Sequence, residues 1–432
     1  MLSFSSFEVI GVTPGSYHKF LQIGIANAII AAEMALAMPI IHNFGEKLRM
    51  NTIKRIFQDQ SRSFFLFGPR GVGKSTWMKS QYQNALWIDL LDPQTSRNFA
   101  ARPERLFDLV NANPSQDVVV IDEVQKVPAL LSIVHSLIEK KHGIKFVLSG
   151  SSARKLKQTS ADLLGGRALK CNLHPFIASE LGDMFSLDDA LLNGMLPLVY
   201  KQQDAQKMLS AYISLYLYEE IQAEGLVRNV EYFARFLEAI SFSHGSLLNI
   251  TNVARECEVK RKTVENYISI LEELLLCYQL PIFAKRAQRQ LISRKKFYLF
   301  DSGVFSKLRP KGTLDRPEEI NGMALEGLVV QHLQAWNDYS DSKHQIAFWR
   351  TKSGLEVDFI VYGDLGFWAI EVKNAKHIHS ADLRGLKAFL SDYPMAKAIL
   401  LYRGTERVMH GNVLCIPCED FLKTLKPNHP II

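Results

Sequence analysis

Cysteine is scarce in this chain, and its few cysteines form no disulfide pattern. Five occur among 432 residues, an odd number without the spacing of a cross-linked secreted domain. Their scarcity favours a reducing compartment, so we expect a cytoplasmic protein. Cys415 and Cys418 form a C-x-x-C spacing, but no second pair lies nearby, so we interpret them as strand and turn residues.

Long apolar runs are also scarce. Residues 21–41 approach the length of a membrane span, but Asn27, Glu33 and Pro39 interrupt the run. No convincing small-residue cleavage site accompanies it, which argues against a signal peptide. We expect residues 1–49 to be an extension outside the fold, and a membrane-associated helix is the alternative.

A strong charge of either sign is absent. The chain has 51 basic and 44 acidic residues, a net charge of +7, which weakly suggests an anionic partner. Hydrophobic content of 47% and charged content of 22% are ordinary for a globular protein. The length predicts about two to four domains.

The glycine-rich segment FLFGPRGVGKST is the most informative feature that is present. It fits the P-loop pattern G-x-x-x-x-G-K-[ST], in which glycines let backbone N–H groups wrap a β-phosphate. A helix beginning near Lys74 would direct its dipole at the phosphates, Lys74 would reach the β- and γ-phosphates, and Ser75 would hold Mg²⁺. The expected nucleotide-binding residues are Gly68, Pro69, Arg70, Gly71, Val72, Gly73, Lys74, Ser75 and Thr76.

A β-branched run, VVVI at 118–121, ends in Asp122 and Glu123. Such a run is typical of a buried parallel strand. Asp122 at its carboxyl end is a candidate Mg²⁺ ligand, and Glu123 is a candidate for orienting the attacking water. With the P-loop, this pattern indicates the Walker A and Walker B motifs of an ATPase. The alternative is a glycine-rich turn and an unrelated acidic strand end.

The alternation of strands and helices over residues 64–148 predicts a parallel sheet with helices on both faces. Ser149 follows a later strand, where it can sense the γ-phosphate or cap a helix. Arg167 follows a glycine pair. It is a candidate for stabilising phosphate charge, in cis or from a neighbouring subunit, and a structural salt bridge is equally open.

Four segments in this order, FLFGPRGVGKST, VVVIDEVQKVP, FVLSGSSARKL and GGRALKCNLHPF, resemble bacterial and archaeal AAA-type ATPases that carry a C-terminal domain of unknown function. The likeness runs from about Met50 to the end. It implies an AAA+ core at 50–178 that uses ATP and Mg²⁺, with functional residues at Lys74, Ser75, Asp122, Glu123 and Ser149. Arg167 matches a GGR element whose role the resemblance does not fix.

The middle of the chain predicts two further modules. Residues 179–226 are expected to be a helical lid or connector. Within 227–315, a short helix, a turn and a longer helix resemble a helix-turn-helix, and runs at 279–284 and 296–300 are candidate strands of a wing.

Basic residues are concentrated between positions 281 and 311, where Asp301 is the single acidic residue. This charge pattern is typical of contact with a nucleic-acid backbone, although winged helices also serve as packing modules. The basic residues are Lys285, Arg286, Arg289, Arg294, Lys295, Lys296, Lys307, Arg309 and Lys311.

Residues 316–432 carry a second candidate site. Glu326 lies on a predicted helix, Asp358 on one predicted strand, and Glu371 and Lys373 share a face of another. This arrangement resembles the PD-(D/E)xK nuclease fold, with valine instead of proline before Asp358. Carboxylates suit a divalent cation, here a second metal held by Glu326, Asp358 and Glu371, and Lys373 would act with Glu371 on water. Charges on half-exposed strands and an inactive nuclease fold are the alternatives.

We therefore expect an α/β protein with an AAA+ P-loop core, a winged-helix-like module and a C-terminal restriction-endonuclease-like domain. The first functional hypothesis is a Mg²⁺-dependent ATPase whose nucleotide state controls the C-terminal domain, with DNA and further copies of the chain as candidate partners. The second is an ATP-gated regulatory switch with an inactive nuclease-like scaffold. The third is a nuclease that uses ATP only as a ligand.

Overall fold

The computed structural model describes residues 53–140, 143–151, 156, 164–217, 230–284, 294–313 and 315–432. By its internal contacts the chain divides after Lys54, and the described helices and strands all lie in the unit Arg55–Ile432. Among the helices described, none has the length and apolar character needed to cross a bilayer. The predicted extension at 1–49 lies outside the described residues.

A five-stranded sheet forms the first part of the fold. Its three central strands are short, mostly apolar and buried on both faces, as is typical of a parallel sheet. Two separate helices lie within residues 93–112, because Pro103 disfavours helical geometry at the preceding Arg102. The elements are β1 Phe64–Phe67, α1 Lys74–Gln81, β2 Leu86–Asp89, α2 Pro93–Ala101, α3 Arg105–Ala112, β3 Val118–Asp122, α4 Leu130–Lys140, β4 Lys145–Gly150 and β5 Leu169–Asn172.

The strand order of this sheet is β2-β3-β4-β1-β5, and every pairing is parallel. The predicted parallel sheet is therefore confirmed. Since β4 lies between β1 and β3, the carboxyl ends of these three strands meet at one edge. Ligands of open parallel sheets bind at that edge.

The middle of the chain is helical and carries a small antiparallel sheet of order β6-β8-β7. Helices precede the sheet, interrupt it and follow it. Part of the predicted lid or connector, residues 218–226, lies outside the described residues. The elements are α5 Ala178–Leu181, α6 Leu187–Asn193, α7 Ala205–Ala211, α8 Val230–Ser241, β6 Ser246–Leu247, α9 Ile250–Glu256, α10 Arg261–Glu273, β7 Cys277–Leu280, β8 Lys296–Leu299 and α11 Ser302–Leu308.

A 23-residue helix, α12, leads into a six-stranded mixed sheet of order β13-β14-β12-β11-β10-β9. The β11–β12 and β12–β14 pairs are parallel, and the remaining pairs are antiparallel. The elements are α12 Pro317–Tyr339, β9 Gln345–Arg350, β10 Glu356–Gly363, β11 Gly366–Val372, α13 Arg384–Asp392, β12 Lys397–Tyr402, β13 Val408–His410, β14 Val413–Pro417 and α14 Cys418–Thr424.

The chain that follows β7 joins the C-terminal sheet. Phe348 of β9 donates its backbone N–H to Pro281 and accepts from Phe283, at 3.0 and 2.6 Å. The Phe283 side chain is buried in the core beneath that sheet. The predicted wing strand at 279–284 therefore ends early, because its last residues cover the edge of β9.

Candidate functional site

The backbone of the predicted P-loop adopts the conformation that wrapping a phosphate requires. Gly71 and Gly73 have φ angles of +82° and +89°, a region that other residues rarely adopt. At Gly68 the reason for glycine is proximity, because a Cβ there would lie 2.4 Å from the carbonyl oxygen of Leu173. The loop thus runs directly against the residue that follows β5.

Lys74 is buried, and its ammonium donates to the carbonyl oxygens of Gly68 and Pro69 at 2.7 and 3.2 Å. Since α1 begins at Lys74, Ser75 lies in the first turn of the helix. A cation beside a helix N-terminus fits an anionic phosphate, and a hydroxyl in that turn fits Mg²⁺. The loop therefore fits Mg²⁺-ATP. Of its remaining members, Val72 is buried, and Arg70 and Thr76 are exposed.

Asp122 and Ser149 meet at the carboxyl ends of β3 and β4. Both are buried, and the Ser149 hydroxyl donates to the Asp122 carboxylate. The same hydroxyl accepts from the backbone N–H of Glu123 at 3.1 Å. Ser149 therefore lies on the strand between the P-loop strand and the acidic strand end, where a nucleotide sensor is expected.

Glu123 has a left-handed backbone with φ of +60°. Such strain at a non-glycine residue is often found at functional sites. Its carboxylate accepts from the side-chain amide of Gln125. A candidate base for water is thus held beside the candidate Mg²⁺ ligand.

Arg167 lies away from the P-loop. It precedes β5, and because β5 runs parallel to β1, it lies at the amino-terminal edge of the sheet. Its guanidinium pairs with Glu139 of α4. This geometry favours the salt bridge over the predicted contact with phosphate in cis, because the P-loop follows the opposite end of β1.

The stretch from the last residue of β5 to the first residue of α5, residues 172–178, is packed between the P-loop and α12. Leu173 donates its backbone N–H to Phe67, the last residue of β1, at 2.7 Å. On the α12 side, the carboxylate of Asp338 contacts Asn172 and His174 at 2.9 and 2.7 Å. Two more contacts follow along the helix, from Gln331 to the Phe176 carbonyl and from the Ala178 N–H to His332.

In the C-terminal sheet, Asp358 and Glu371 lie opposite each other, because Phe359 pairs with Ile370 in the antiparallel register. The pairing of β10 with β9 shifts register at this point, a distortion that can redirect a side chain. The Asp358 carboxylate accepts from the backbone N–H of Val372 at 3.0 Å.

Four carboxylates form what we call the acidic cluster: Glu326, Glu356, Asp358 and Glu371. Lys296 of β8 lies at the centre of this cluster. Its ammonium is 2.9 Å from Glu326, 2.6 Å from Glu356 and 3.1 Å from Asp358, and its side chain is 3% exposed. Tyr298, two residues along the strand, donates its hydroxyl to Glu326. Helix α12, strand β10 and strand β8 therefore meet around one lysine.

Burial and mutual repulsion raise the pKa values of two carboxyl groups in this cluster. Burial, reinforced by the charge of Asp358, raises the pKa of Glu326 to about 7 and that of Glu371 to about 8. Burial by itself would lower the pKa of Lys296, but the surrounding carboxylates raise it well above its ordinary value. The cluster thus has an excess of carboxyl groups over cations.

Glu371 and Lys373 contact each other at 2.6 Å, and the second oxygen of Glu371 is buried without a hydrogen-bond partner. That oxygen fits a cation. However, the Lys296 ammonium already donates to one oxygen of Glu326 and one oxygen of Asp358. Across the part of the chain that the structure describes, no group of three or more His, Cys, Asp or Glu side chains could hold a metal ion.

The structure changes the interpretation of the basic segment at 281–311. Lys296 is buried among carboxylates, and Arg309 pairs with Asp315 at 2.9 Å and covers the ring of Phe242. The charges of Lys296 and Arg309 are therefore neutralised by other residues of the protein. Arg294, Lys295, Lys307 and Lys311 are exposed, and Lys285, Arg286 and Arg289 lie outside the described residues.

Three residues that contribute to these sites are not part of the P-loop motif or of the nuclease motif. Arg55 contacts the P-loop, and Lys296 and Glu356 complete the acidic cluster. Glu356 shares a strand face with Asp358, which the two-residue period of a strand could have indicated. Arg55 lies 17 residues before Val72, and Lys296 lies 30 residues before Glu326, so both fall outside the motifs and only the fold reveals them.

Three family models match consecutive parts of the chain. Residues 60–182 match a family described as AAA domain. Residues 184–315 and 321–421 match two families described as Domain of unknown function, DUF8612 and DUF4143.

A curated relative from Haemophilus influenzae, described as Uncharacterized protein, is 23% identical over 203 residues, 43% of this chain and 50% of the relative. The chain thus spans half the length of that relative. A solved structure of the replication initiator DnaA bound to AMPPCP and single-stranded DNA shares 14% identity, with a TM-score of 0.25, over 49% of this chain and 82% of that one. This likeness is too low to indicate a shared fold. The family match at 60–182 and the parallel sheet support an AAA-type P-loop ATPase domain in this part of the chain.

Proposed function

We propose that this protein is a Mg²⁺-dependent ATPase whose nucleotide state controls its C-terminal domain. Lys74 would bind the β- and γ-phosphates, Ser75 and Asp122 would hold Mg²⁺, and Glu123 would orient the attacking water. Ser149 would sense the γ-phosphate. Arg167, exposed at the far edge of the sheet, would act on phosphate only from a neighbouring copy.

The observation that carries the proposed control is the position of α12. Its last turn contacts the segment that abuts the P-loop, through Asp338. Glu326, on the same helix, belongs to the acidic cluster. The two positions are twelve residues apart, or roughly 18 Å at the helical rise. A rigid helix that contacts both sites is a physical means of coupling them.

Replacing the proposed base tests this function. Glu123→Gln keeps the shape of the side chain but removes the carboxylate, so ATP should still bind while hydrolysis falls by about 10²-fold or more. Calorimetry measures the binding, and phosphate release measures the turnover. The exposed Glu104 offers a matched control, since Glu104→Gln should hydrolyse ATP at the wild-type rate. Wild-type turnover in Glu123→Gln would contradict the assignment.

A second candidate is an ATP-gated regulatory switch in which the C-terminal domain is an inactive nuclease-like scaffold. The ammonium of Lys296 favours it, because it fills the space between Glu326, Glu356 and Asp358 that a divalent cation would need. A lysine so deeply paired stabilises the cluster without any metal.

Cleavage of a panel of DNA substrates with Mg²⁺ or Mn²⁺, with and without ATP, separates the two candidates. Cleavage that Asp358→Ala abolishes, and that Asp364→Ala on the exposed neighbouring turn retains, would favour an active nuclease site. Retained ATP hydrolysis without cleavage of any substrate would favour the scaffold.

Contact between the middle module and DNA is a further part of the proposal. The order helix, strand, helix, helix, strand, strand over α8 to β8 supports a winged-helix interpretation. Lys260, Arg261 and Lys262 are exposed at the start of α10, although the latter two lie near Glu265, at 3.0 and 3.8 Å. Exposed cations on such a helix suit a phosphate backbone.

A further inference from the structure

Arg55 is a buried arginine that connects the two backbone segments beside the phosphate site. Its side chain is 6% exposed. One guanidinium nitrogen donates to the carbonyl of Val72, within the P-loop, at 2.8 Å. The other terminal nitrogen donates to the carbonyl of His174, in the segment after β5, at 2.6 Å. The guanidinium thus fixes the P-loop relative to its neighbouring segment.

The position of the guanidinium is itself fixed by a buried carboxylate. Arg55 Nε lies 2.9 Å from Glu180, which also accepts from the backbone N–H groups of Ile56 and Ile177. The guanidinium also lies 4.9 Å from the ring centre of Phe176. A planar group with several fixed donors suits this combination, which a lysine could not reproduce.

The same guanidinium reaches the last residue of α12. Its terminal nitrogen that bonds His174 lies 3.4 Å from the hydroxyl of Tyr339, and that hydroxyl accepts from the His174 N–H at 3.0 Å. The Tyr339 ring also packs against Phe57. A displacement of the Val72 carbonyl in the P-loop would therefore be transmitted to the end of α12 through the side chain of Arg55.

We propose that Arg55 is a positioning residue that holds the P-loop ready for phosphate and transmits its nucleotide state to α12 through Tyr339. This inference rests on the proposed ATPase function. A loop that is ordered before binding loses less conformational freedom when ATP arrives, so Arg55 strengthens ATP binding. Because the Arg55 guanidinium contacts both the P-loop and Tyr339, the end of α12 should also respond when ATP binds.

Two variants test the inference. Arg55→Lys should weaken ATP binding by about 10- to 100-fold, the effect of losing charge-assisted hydrogen bonds, as measured by calorimetry well below the melting temperature. Tyr339→Phe leaves the Arg55 contact with Val72 in place, so the ATP affinity of this variant should stay within about threefold of wild type. Hydrogen exchange at residues 330–339 should slow when ATP binds to the wild type, and this response should be lost in both variants.

The exposed Arg62 provides the control, since Arg62→Lys should keep both the affinity and the exchange response. A purely structural role would lower the melting temperature of Arg55→Lys but leave ATP affinity and the exchange response intact, and that result would overturn the inference. A wild-type protein that binds no ATP would overturn the proposed function itself, and the inference with it.

Discussion

Glu371 differs from the other carboxyl groups of the acidic cluster because Lys296 does not pair with it. Lys296 contacts Glu326, Glu356 and Asp358, whereas the second oxygen of Glu371 has no hydrogen-bond partner. Burial beside Asp358 raises the pKa of Glu371 to about 8. This residue is therefore costly to ionise inside the folded protein.

Stability should consequently depend on pH through this residue. The folded protein retains the Glu371 proton up to about pH 8, whereas the unfolded chain loses it near pH 4.5. The free energy of unfolding should fall as the pH rises between these values. Glu371→Gln cannot ionise, so its melting temperature should match the wild type at pH 5 and exceed it by several degrees at pH 9.

Melting curves over this pH range measure the effect. The exposed Glu406 serves as the control, and Glu406→Gln should reproduce the wild-type pH dependence. A Glu371→Gln profile parallel to that of the wild type would mean that the Glu371 carboxyl group ionises in the folded protein as it does in the unfolded chain.

Residues within local motifs could be located from the sequence, and residues that complete a site from afar could not. Lys74 follows its glycines directly, and the turn geometry there is local. Lys296 belongs by sequence to a basic segment, and the charge pattern contains no information about which carboxylates the fold brings to it. Its burial emerges only when β8 packs against α12 and β10.

At the scale of elements, the parallel sheet was predictable because each strand and helix carries its own period. The long helix α12 was also predictable, and it carries Glu326 as expected. The path of the chain after β7 could not be predicted, since the apolar residues there suit a wing strand or a hydrophobic core equally. Phe283 decides between them by packing beneath the C-terminal sheet.

Removing that side chain should show that this connection belongs to the C-terminal core. Phe283 is 6% exposed and lies among Phe367, Phe389 and Tyr393, so Phe283→Ala should lower the free energy of unfolding by about 3–5 kcal/mol. Denaturant titration gives this value.

Phe242 is the matched control, because it is 49% exposed and the Arg309 guanidinium lies 3.7 Å from its ring centre. Phe242→Ala should cost about 1 kcal/mol or less. If Phe283→Ala lost as little stability as is expected for Phe242→Ala, Phe283 would not be a core residue, and the connection would then be free to act as a wing.

At the scale of the whole molecule, one unit holds both sites. The P-loop edge of the first sheet and the acidic cluster share α12, and Arg55 ties the end of that helix to the P-loop. In the proposed function, this arrangement would let nucleotide binding bias the C-terminal domain. This requires that ATP binds at the P-loop.

Calorimetric titration of Mg²⁺-ATP into the wild type and Lys74→Ala is therefore the direct test of ATP binding at the P-loop. The wild type should bind saturably, and Lys74→Ala should bind about 100-fold more weakly or not at all, because it lacks the charge-assisted contact with the phosphates. Lys79→Ala, on the exposed face of the same helix, should bind like the wild type. Equal affinity in the wild type and Lys74→Ala, or no binding by either, would contradict the account.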